Sequence, residues 1–292
     1  MAIEQKWDHL KALLHDMQTA VIAYSGGVDS SLLLRAASEA MGRHLVAVTA
    51  VSETYPPGEL AGAQEFAGSL GVSHMVLYTD ELKSEEFVRN APDRCYHCKK
   101  ELFEKLKEIA GSAGMAFVID GSNTDDLMDH RPGRKAAQEF FVRSPLVEAG
   151  LSKPEVRELA RTLNLPVWDK PSLACLSSRI PYGTRITSDI LRTVRSAEDR
   201  LRSFGFRQAR VRHHGGVARI EIDRAEFSRL LDDDVSGRIT SAFKELGYTY
   251  VCMDLEGYRT GSMNEEMARD DGRGTMDEGR GTRDEMACRP SS

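Results

Sequence analysis

The 292-residue sequence predicts an α/β fold, a parallel sheet with helices on both faces, followed by a small α+β domain. Short apolar segments alternate with helical patterns as far as residue 165, which is typical of parallel strands joined by helices. A polar, proline-bearing stretch then interrupts the alternation. Beyond it lie a helix, two adjacent strands, further helices and a last strand, and this order indicates a separate α+β unit.

The elements are predicted in the following order. Strands of the first domain are expected at 20–23, 45–50, 74–78, 117–120 and near 140–142, with helices at 5–17, 31–41, 57–70, 95–110 and 154–163. In the second domain we expect a helix at 188–204, strands at 209–213, 218–223 and 248–254, and helices at 225–231 and 238–246. Ligands of parallel sheets bind at the carboxyl ends of the strands, so the loops at those ends are candidate sites.

We therefore divide the chain into four segments. Residues 1–165 form the sheet domain, 166–186 a functional loop, 187–261 a small α+β domain for substrate binding or oligomerisation, and 262–292 a tail. The tail repeats Gly-Arg-Gly-Thr at 272–275 and 279–282 and has no apolar periodicity, which predicts disorder.

Composition restricts the class of protein. A hydrophobic content of 41% with 29% charged residues is typical of a soluble globular protein, and no apolar run is long enough to span a bilayer. The N-terminus lacks a signal-peptide pattern, so we expect a cytoplasmic protein with no membrane partner. Five cysteines, an odd number, indicate metal or reactive chemistry rather than a disulfide framework.

Charge is distributed unevenly along a chain of net charge −6. Residues 185–212 contain eight arginines and three acidic residues. A local basic stretch on an acidic protein favours a small phosphorylated substrate over a nucleic acid, and a solvated helix face is the alternative interpretation.

Residues 24–31 read Tyr-Ser-Gly-Gly-Val-Asp-Ser-Ser, between a strand and a helix. Gly26 and Gly27 allow close approach of a ligand and positive φ, and the N-terminus of the following helix favours an anion such as phosphate. Hydroxyl donors come from Ser25 and Ser30, and Asp29 supplies a carboxylate. No lysine follows the glycines, so the Walker pattern is absent.

A second candidate loop, Asp120-Gly-Ser-Asn-Thr-Asp-Asp126, follows the strand at 117–120. Gly121 permits close approach of a nucleotide beside Asn123, and Asp125 and Asp126 are candidate oxygen ligands for Mg²⁺. A capped helix start is the structural alternative, and the two are compatible.

Three cysteines form a third candidate group. Cys95 and Cys98 begin a helical pattern three residues apart, and Cys175 lies alone in the polar loop. They are too few for a four-cysteine zinc site, although His97 could complete one; they would suit an iron–sulfur cluster with one open iron. Cys175 could also act as a thiolate nucleophile, and buried reduced thiols remain the alternative for the pair.

Arginines lie near the third cysteine and on a later strand. Arg179 is four residues beyond Cys175, and alternation places Arg210 and Arg212 on one strand face, where they could hold a phosphate or carboxylate. Glu198 could pair with these arginines, steer substrate or form a surface ion pair. Cys252, in an apolar strand, is expected in the core.

The loop at 25–30 resembles the pyrophosphate loop of ATP pyrophosphatases, the PP-loop. Together with the loop at 121–126, the Cys175 stretch and the Arg210–Arg212 strand, it is similar to the LarE family over residues 1 to about 260. That family consists of ATP-dependent sulfur transferases that help to build the nickel-pincer nucleotide of lactate racemase.

The resemblance implies an adenylating enzyme. ATP, with Mg²⁺, would activate the carboxylates of a pyridinium-3,5-dicarboxylate mononucleotide, and a sulfur nucleophile would displace AMP to leave thiocarboxylates. Arg210 and Arg212 would bind this substrate, with Arg179 near the reacting sulfur. The family tends to form oligomers, so a homo-oligomer is expected.

The resemblance also implies two possible sulfur sources. Cys95, Cys98 and Cys175 match the family's three-cysteine type, which holds a 4Fe–4S cluster, and this type is favoured. The alternative is sacrificial donation from Cys175, which ends as dehydroalanine. A tRNA-thiolating enzyme of the same architecture and a non-catalytic nucleotide-binding module are the rival functions.

Overall fold

The computed structural model describes residues 1–56, 58–127, 132–171, 174–259 and 262–264. Strands within these ranges are β1 Ala20–Ala23, β2 Leu45–Val51, β3 Ser73–Tyr78, β4 Phe117–Asp120, β5 Ala209–His214, β6 Val217–Ile222 and β7 Tyr250–Met253. The helices there are α1 Ile3–Met17, α2 Val28–Met41, α3 Glu59–Ser69, α4 Glu85–Val88, α5 Arg94–Ser112, α6 Gly133–Glu139, α7 Pro145–Glu148, α8 Lys153–Thr162, α9 Ser188–Ser203, α10 Phe227–Leu230 and α11 Asp233–Glu245. Short 3₁₀ turns occur at Glu81–Lys83, Thr124–Leu127, Leu176–Arg179, Arg224–Glu226 and Ser262–Asn264.

A parallel sheet of order β3-β2-β1-β4 forms the first domain, which confirms the predicted α/β class. Strand β1 is central and pairs in register with β2 and β4, so that Ala23 lies opposite Val48 and Asp120. Its side chains alternate between two cores, as the pleat requires. Ile22 packs among residues of α1, α2 and α8, whereas Val21 packs against α5 and α6.

The predicted strand near 140–142 is wrong. These residues follow the C-terminus of α6, and Phe141 has a φ of 51°, which is incompatible with an extended strand. A single bridge joins Arg143 to Ile119 of β4. The described sheet therefore ends at β4 on this side.

The second domain contains the sheet β5-β6-β7, in which β5 and β6 are antiparallel and β6 and β7 are parallel. Helices α9 and α11 cover it around a core that includes Phe206, Val211 and Phe243. Cys252 is exposed, so its predicted core position is wrong. It lies on the edge strand β7 and, like Tyr250, faces outward.

The segment predicted as a tail begins inside this domain. Ser262 and Met263 are buried, and Ser262 Oγ donates to Glu221 Oε1 of β6 over 2.9 Å. The remaining tail, 265–292, for which disorder was predicted, lies outside the described residues, as do 172–173 of the polar loop. Within the described ranges, no helix combines the length and apolar character that crossing a membrane requires.

Candidate active site

Residues 25–30, here called the nucleotide loop, comprise the turn after the carboxyl end of β1 and the first three residues of α2. Gly26 has a φ of 75°, and a Cβ there would stand 3.1 Å from Ala63 Cβ of α3, so glycine suits this position on both counts. Gly27 instead has a φ of −80°, and the positive φ predicted for it is wrong. Gly27 is the N-cap of α2, and an N-cap residue takes extended backbone angles.

Serine side chains hold the nucleotide loop closed. Ser25 Oγ and Ser30 Oγ are 3.1 Å apart, and Ser30 Oγ lies 3.1 Å from Gly27 O, to which it donates. Ser31, the next hydroxyl, instead lies 3.4 Å from Tyr24 Oη in the core. Ser25 N and Gly27 N donate to these serine hydroxyls, over 3.3 and 3.4 Å. The loop lies at the positive end of α2, which is a position suited to a phosphate.

The predicted second loop meets the nucleotide loop directly. A Cβ at Gly121 would stand 2.9 Å from Ser30 N, so a side chain at this position would collide with backbone. Asn123, buried in the same loop, donates from Nδ2 to Asp29 Oδ1 over 3.1 Å. The structure thus brings together residues separated by about ninety positions in sequence, as parallel neighbours β1 and β4 require.

Lys153, at the start of α8, is not among the residues predicted from the motifs. Its ammonium forms an ion pair with the carboxylate of Asp29, and its backbone N donates to Asp125 Oδ2 over 3.2 Å. Asp126 Oδ2 accepts from Asn123 N over 3.0 Å, so this carboxylate caps its own turn. A lysine beside Asp29 adds the positive charge that the glycine pattern lacks.

A second unpredicted lysine, Lys170, reaches the same loop from the polar stretch. Its Nζ is 3.3 Å from Gly26 O and pairs with the carboxylate of Glu59 in the first turn of α3. The signal for Lys170 is its position five residues before Cys175 in the polar loop 166–186. The structure therefore connects the two strongest sequence features through one side chain.

Cys175 is exposed and precedes the 3₁₀ turn Leu176–Arg179. Arg179 is 2% exposed, and its Nη1 donates to the carbonyls of Ala174 and Cys175 over 2.8 and 3.1 Å. Arg179, predicted to lie near the sulfur, thus contacts the main chain of Cys175. The guanidinium binds the backbone on which Cys175 lies.

Glu198, on α9, holds Arg179 from the other side. Its carboxylate accepts from Nε and Nη2 of Arg179 over 2.7 and 3.1 Å, and from Val211 N over 3.2 Å. Burial raises the pKa of Glu198, but Arg179, Arg210 and the Val211 N–H outweigh it and leave that pKa below its ordinary value. Glu198 is 1% exposed, so its pair with Arg179 is buried, and it also accepts from the partly exposed Arg202 over 3.3 Å.

The two arginines of β5 are both buried. Burial, with repulsion from Arg179, lowers the pKa of Arg210 to about 10 against the opposing effect of Glu198, and its guanidinium lies 5.4 Å from the ring centre of Tyr258. Arg212 donates to both carboxylate oxygens of Glu221 over 2.9 and 2.7 Å. These contacts place Arg210 beside the Arg179–Glu198 pair.

Arg212 also joins residues 175–179, here called the cysteine turn, to the small domain. Its Nη1 donates to Ser178 O over 2.9 Å and its Nη2 to Ser262 Oγ over 2.9 Å. Glu221, which anchors Arg212, is not among the predicted residues. Its position opposite Arg210 across β5 and β6 becomes apparent only from the strand register.

The cysteine pair lies in the first turns of α5, with Cys95 exposed and Cys98 half-buried. Burial raises the pKa of the Cys98 thiol, and Cys175, Glu81 and Cys95 raise it further. Cys98 Sγ is 4.0 Å from Glu81 Oε1. Cys95 and Cys175 are thus near enough to influence the pKa of Cys98, but among described residues no three His, Cys, Asp or Glu side chains are arranged to hold a metal ion.

Asn90, which no motif indicates, joins the two cysteine-bearing segments. Its Nδ2 donates to Pro181 O and Thr184 O over 2.7 and 2.9 Å, and its Oδ1 accepts from Arg94 at the start of α5. Asn90 is buried and has a φ of 57°, which asparagine tolerates better than most residues. This side chain holds the residues after Cys175 against the helix of Cys95 and Cys98.

Comparison with known proteins fits this arrangement. No protein-family model matches the chain. The chain is 40% identical over 261 residues to the pyridinium-3,5-bisthiocarboxylic acid mononucleotide synthase of Lactiplantibacillus plantarum, covering 89% of this chain and 94% of that protein. The chain belongs to the LarE family. The resemblance drawn from the nucleotide loop and the Cys175 stretch is confirmed.

Two other relatives differ in how much of this chain they match. An uncharacterised protein of Synechocystis is 42% identical over 267 residues, covering 91% of this chain and all of that protein. The tRNA-specific 2-thiouridylase MnmA of Heliobacterium modesticaldum is 29% identical over 195 residues, 53% of this chain and 50% of that enzyme. Similarity to LarE thus extends through both domains, whereas similarity to MnmA covers about half.

Proposed function

We propose that the protein is an ATP-dependent sulfur transferase that converts the carboxylates of a pyridinium-3,5-dicarboxylate mononucleotide to thiocarboxylates, for the nickel-pincer cofactor of lactate racemase-type enzymes. The observation that carries the proposal is that Lys170, five residues before Cys175, contacts Gly26 O of the nucleotide loop. The polar loop that bears the thiol therefore reaches the loop that suits a phosphate. The name of the Lactiplantibacillus relative supports the choice of substrate.

The first chemical step is adenylation. A substrate carboxylate oxygen bonds to the α-phosphorus of ATP while the bond from that phosphorus to the bridging oxygen breaks, and pyrophosphate leaves. The N–H groups of Gly26 and Gly27, with Ser25 and Ser30, would stabilise the departing charge. Lys153 and Lys170, both held by carboxylates in the described structure, are placed to turn toward the phosphates.

The residues that would bind the nucleotide and Mg²⁺ are proposed from their places in the two loops. Gly121 lets the second loop approach the nucleotide loop closely, and Asn123 and Asp125 would line the nucleotide site. Asp29 belongs to the nucleotide loop and Asp126 to the 3₁₀ turn Thr124–Leu127, and their carboxylates are the kind of oxygen ligand that suits Mg²⁺. When bound, Mg²⁺ would neutralise charge on the phosphates.

The second step transfers sulfur. In the sacrificial route the Cys175 thiolate attacks the acyl carbon and AMP leaves with the electron pair, which forms a thioester. Loss of the Cα proton of Cys175 then breaks its Cβ–S bond, so the substrate keeps the sulfur as thiocarboxylate and the residue becomes dehydroalanine. The exposure of Cys175 supports this nucleophilic role.

The favoured route uses all three cysteines. Soft thiolates are the donors that iron–sulfur clusters take, and Cys95 and Cys175 are near enough to raise the pKa of the Cys98 thiol. A 4Fe–4S cluster held by these three would supply sulfide repeatedly. The thiols would need local rearrangement to bind it, because they are not in a closed ligand arrangement.

Substrate binding is assigned to Arg210 and Arg212. Both guanidiniums lie beside the cysteine turn, where a phosphate or carboxylate could be bound. Glu198 and Arg179 would hold that turn at the reacting carbon. Small-molecule binding, a homo-oligomer and a cytoplasmic location complete the proposal.

A tRNA-thiolating activity is the second candidate, because about half of this chain is similar in sequence to the tRNA-specific 2-thiouridylase MnmA. The net charge of −6 argues against a nucleic-acid substrate. A filter-binding assay with tRNA over a range of salt concentrations separates the two, since tight salt-dependent binding would favour the tRNA function.

The decisive experiment measures pyrophosphate release and thiocarboxylate formation in parallel. We expect Cys175→Ala to keep release but lose thiocarboxylate, and Asp29→Asn to lose both. Cys252→Ala, at an exposed thiol of β7, is the matched control and should behave as wild type. Thiocarboxylate formed by Cys175→Ala would overturn the proposed sulfur step.

The sulfur source is tested separately. After anaerobic iron–sulfur reconstitution, iron and sulfide would be counted in wild type and Cys95→Ala. A cluster lost in the variant supports the three-cysteine route. An iron-free wild type whose mass is lower by one H₂S after a single turnover supports sacrificial donation from Cys175.

A further inference from the structure

Residues 52–56, here called the bridging loop, follow β2 and receive contacts from three parts of the molecule. The nucleotide loop, the cysteine turn and helix α9 all bond to it. None of the motifs discussed above includes these residues. The nucleotide loop and the cysteine turn, which hold the two proposed reacting groups, thus both contact these five residues. Such an arrangement suggests a role beyond connecting β2 to α3.

The contact with the nucleotide loop comes from Tyr55. Its hydroxyl donates to Ser25 O over 3.1 Å, at the first residue of that loop. Burial, followed by the charge of Glu59, raises the pKa of Tyr55 to about 12, which keeps the hydroxyl protonated as a donor at neutral pH.

The contact with the cysteine turn comes from the preceding residue. Leu176 N, adjacent to Cys175, donates to Thr54 O over 3.1 Å. Thr54 is buried, and Ser52 Oγ lies 3.0 Å from its hydroxyl. The backbone of the bridging loop is therefore a fixed support for the residue that follows the thiol.

Helix α9 holds the bridging loop from the third side. Arg195 Nη2 donates to Glu53 O and Tyr55 O over 2.6 and 3.2 Å. The same helix carries Glu198, which holds Arg179 and through it the carbonyl of Cys175. Both supports of the cysteine turn thus connect to Tyr55.

We infer that Tyr55 is a positioning residue that links occupancy of the nucleotide loop to the placement of Cys175. The inference rests on the proposed function, since it assumes that ATP binds at residues 25–30. A nucleotide that orders Ser25 would stabilise the Tyr55 contact, and the bridging loop would then hold Leu176 and Cys175 more firmly. Coupling can be carried by a continuous set of hydrogen bonds, and the described contacts provide one.

The test measures the alkylation rate of Cys175 by iodoacetamide, followed by peptide mass spectrometry, with and without α,β-methylene-ATP. In wild type we expect the analogue to slow alkylation. Tyr55→Phe removes one hydroxyl and should reduce that slowing about fivefold, the equivalent of one hydrogen bond. Tyr78→Phe, at a 76% exposed tyrosine of β3, is the control and should respond as wild type.

Calorimetry with the analogue keeps the two hypotheses separate. If Tyr55→Phe binds the analogue and its Cys175 alkylation slows as much as in wild type, the inference is overturned and the proposed function is unaffected. Absence of any response in wild type that binds the analogue also overturns it. Failure of wild type to bind the analogue overturns the proposed nucleotide site itself.

A second variant protects the test against misfolding. Arg195→Met removes the α9 contact to the bridging loop without altering Tyr55. If Tyr55→Phe fails to melt cooperatively, Arg195→Met should still show a reduced nucleotide response. A response equal to that of wild type in Arg195→Met would then overturn the inference.

Discussion

Gly121 lies against the backbone of Ser30, so that a Cβ at position 121 would stand 2.9 Å from Ser30 N and 3.0 Å from Ser30 Cα. The neighbour is helix backbone and cannot turn away as a flexible side chain would. The close approach brings the loops that follow β1 and β4 into direct contact.

We expect Gly121→Ala to displace the nucleotide loop and reduce pyrophosphate release about tenfold to hundredfold, because small displacements of positioned groups are costly. Steady-state kinetics with varied ATP would measure this. Gly111→Ala is the control, since Gly111 lies in α5 with open space around it. It should raise stability by about 0.5–1 kcal/mol and leave release unchanged.

Glu198→Gln tests the buried pair behind the cysteine turn. Removal of one charge leaves Arg179 buried and partly unpaired, so we expect a loss of about 3–5 kcal/mol of unfolding free energy. Urea denaturation followed by circular dichroism measures it. Asp199→Asn, the next residue on α9 and 49% exposed, should cost less than about 1 kcal/mol. Equal losses in the two variants would contradict the assignment.

The same pair predicts a pH dependence. The folded-state pKa of Glu198 lies below its ordinary value of 4.5, so its ionised form stabilises the fold at neutral pH. This contribution is fully present above the unfolded pKa and is lost as the pH falls through the folded pKa. The difference in unfolding free energy between wild type and Glu198→Gln should stay constant from about pH 6 to 8 and shrink in more acidic buffer. A constant difference at all pH values would contradict the prediction.

Asn90→Gly tests the connection between the two cysteine segments. Glycine keeps the positive φ but removes the donors to Pro181 O and Thr184 O, so we expect a loss of about 2–3 kcal/mol and faster alkylation of Cys175. Asn164→Gly is a matched control, because Asn164 is exposed and has a φ of 55°. Its effect should remain within about 0.5 kcal/mol, as is typical of surface positions.

The elements that the sequence predicted well are those with strong local patterns. Strands β1 and β4 match the expected 20–23 and 117–120, because short apolar runs between helical patterns have few other conformations available. The strand predicted near 140–142 is absent from the described structure, although its apolar run resembles those of β1 and β4. Its apolar residues pack beside α6, and only tertiary contacts distinguish that from strand pairing.

Motif residues were identified by sequence, but their partners were not. Asp29 is recognisable from its glycine loop, whereas Lys153 is 124 positions away and becomes its ion-pair partner only after α8 packs against α2. The same holds for Lys170 with Glu59 and for Arg212 with Glu221. No local periodicity encodes a pairing that depends on how helices and strands are packed.

By itself the sequence determined the α/β class, the nucleotide loop, the three candidate thiols and the family, because each depends on residues close together in the chain or on similarity along its length. The tertiary structure decided that Arg179 and Glu198 form a buried support for Cys175, and that Cys252 faces solvent. Burial and charge pairing are set by the packing of distant segments, which composition and spacing do not specify.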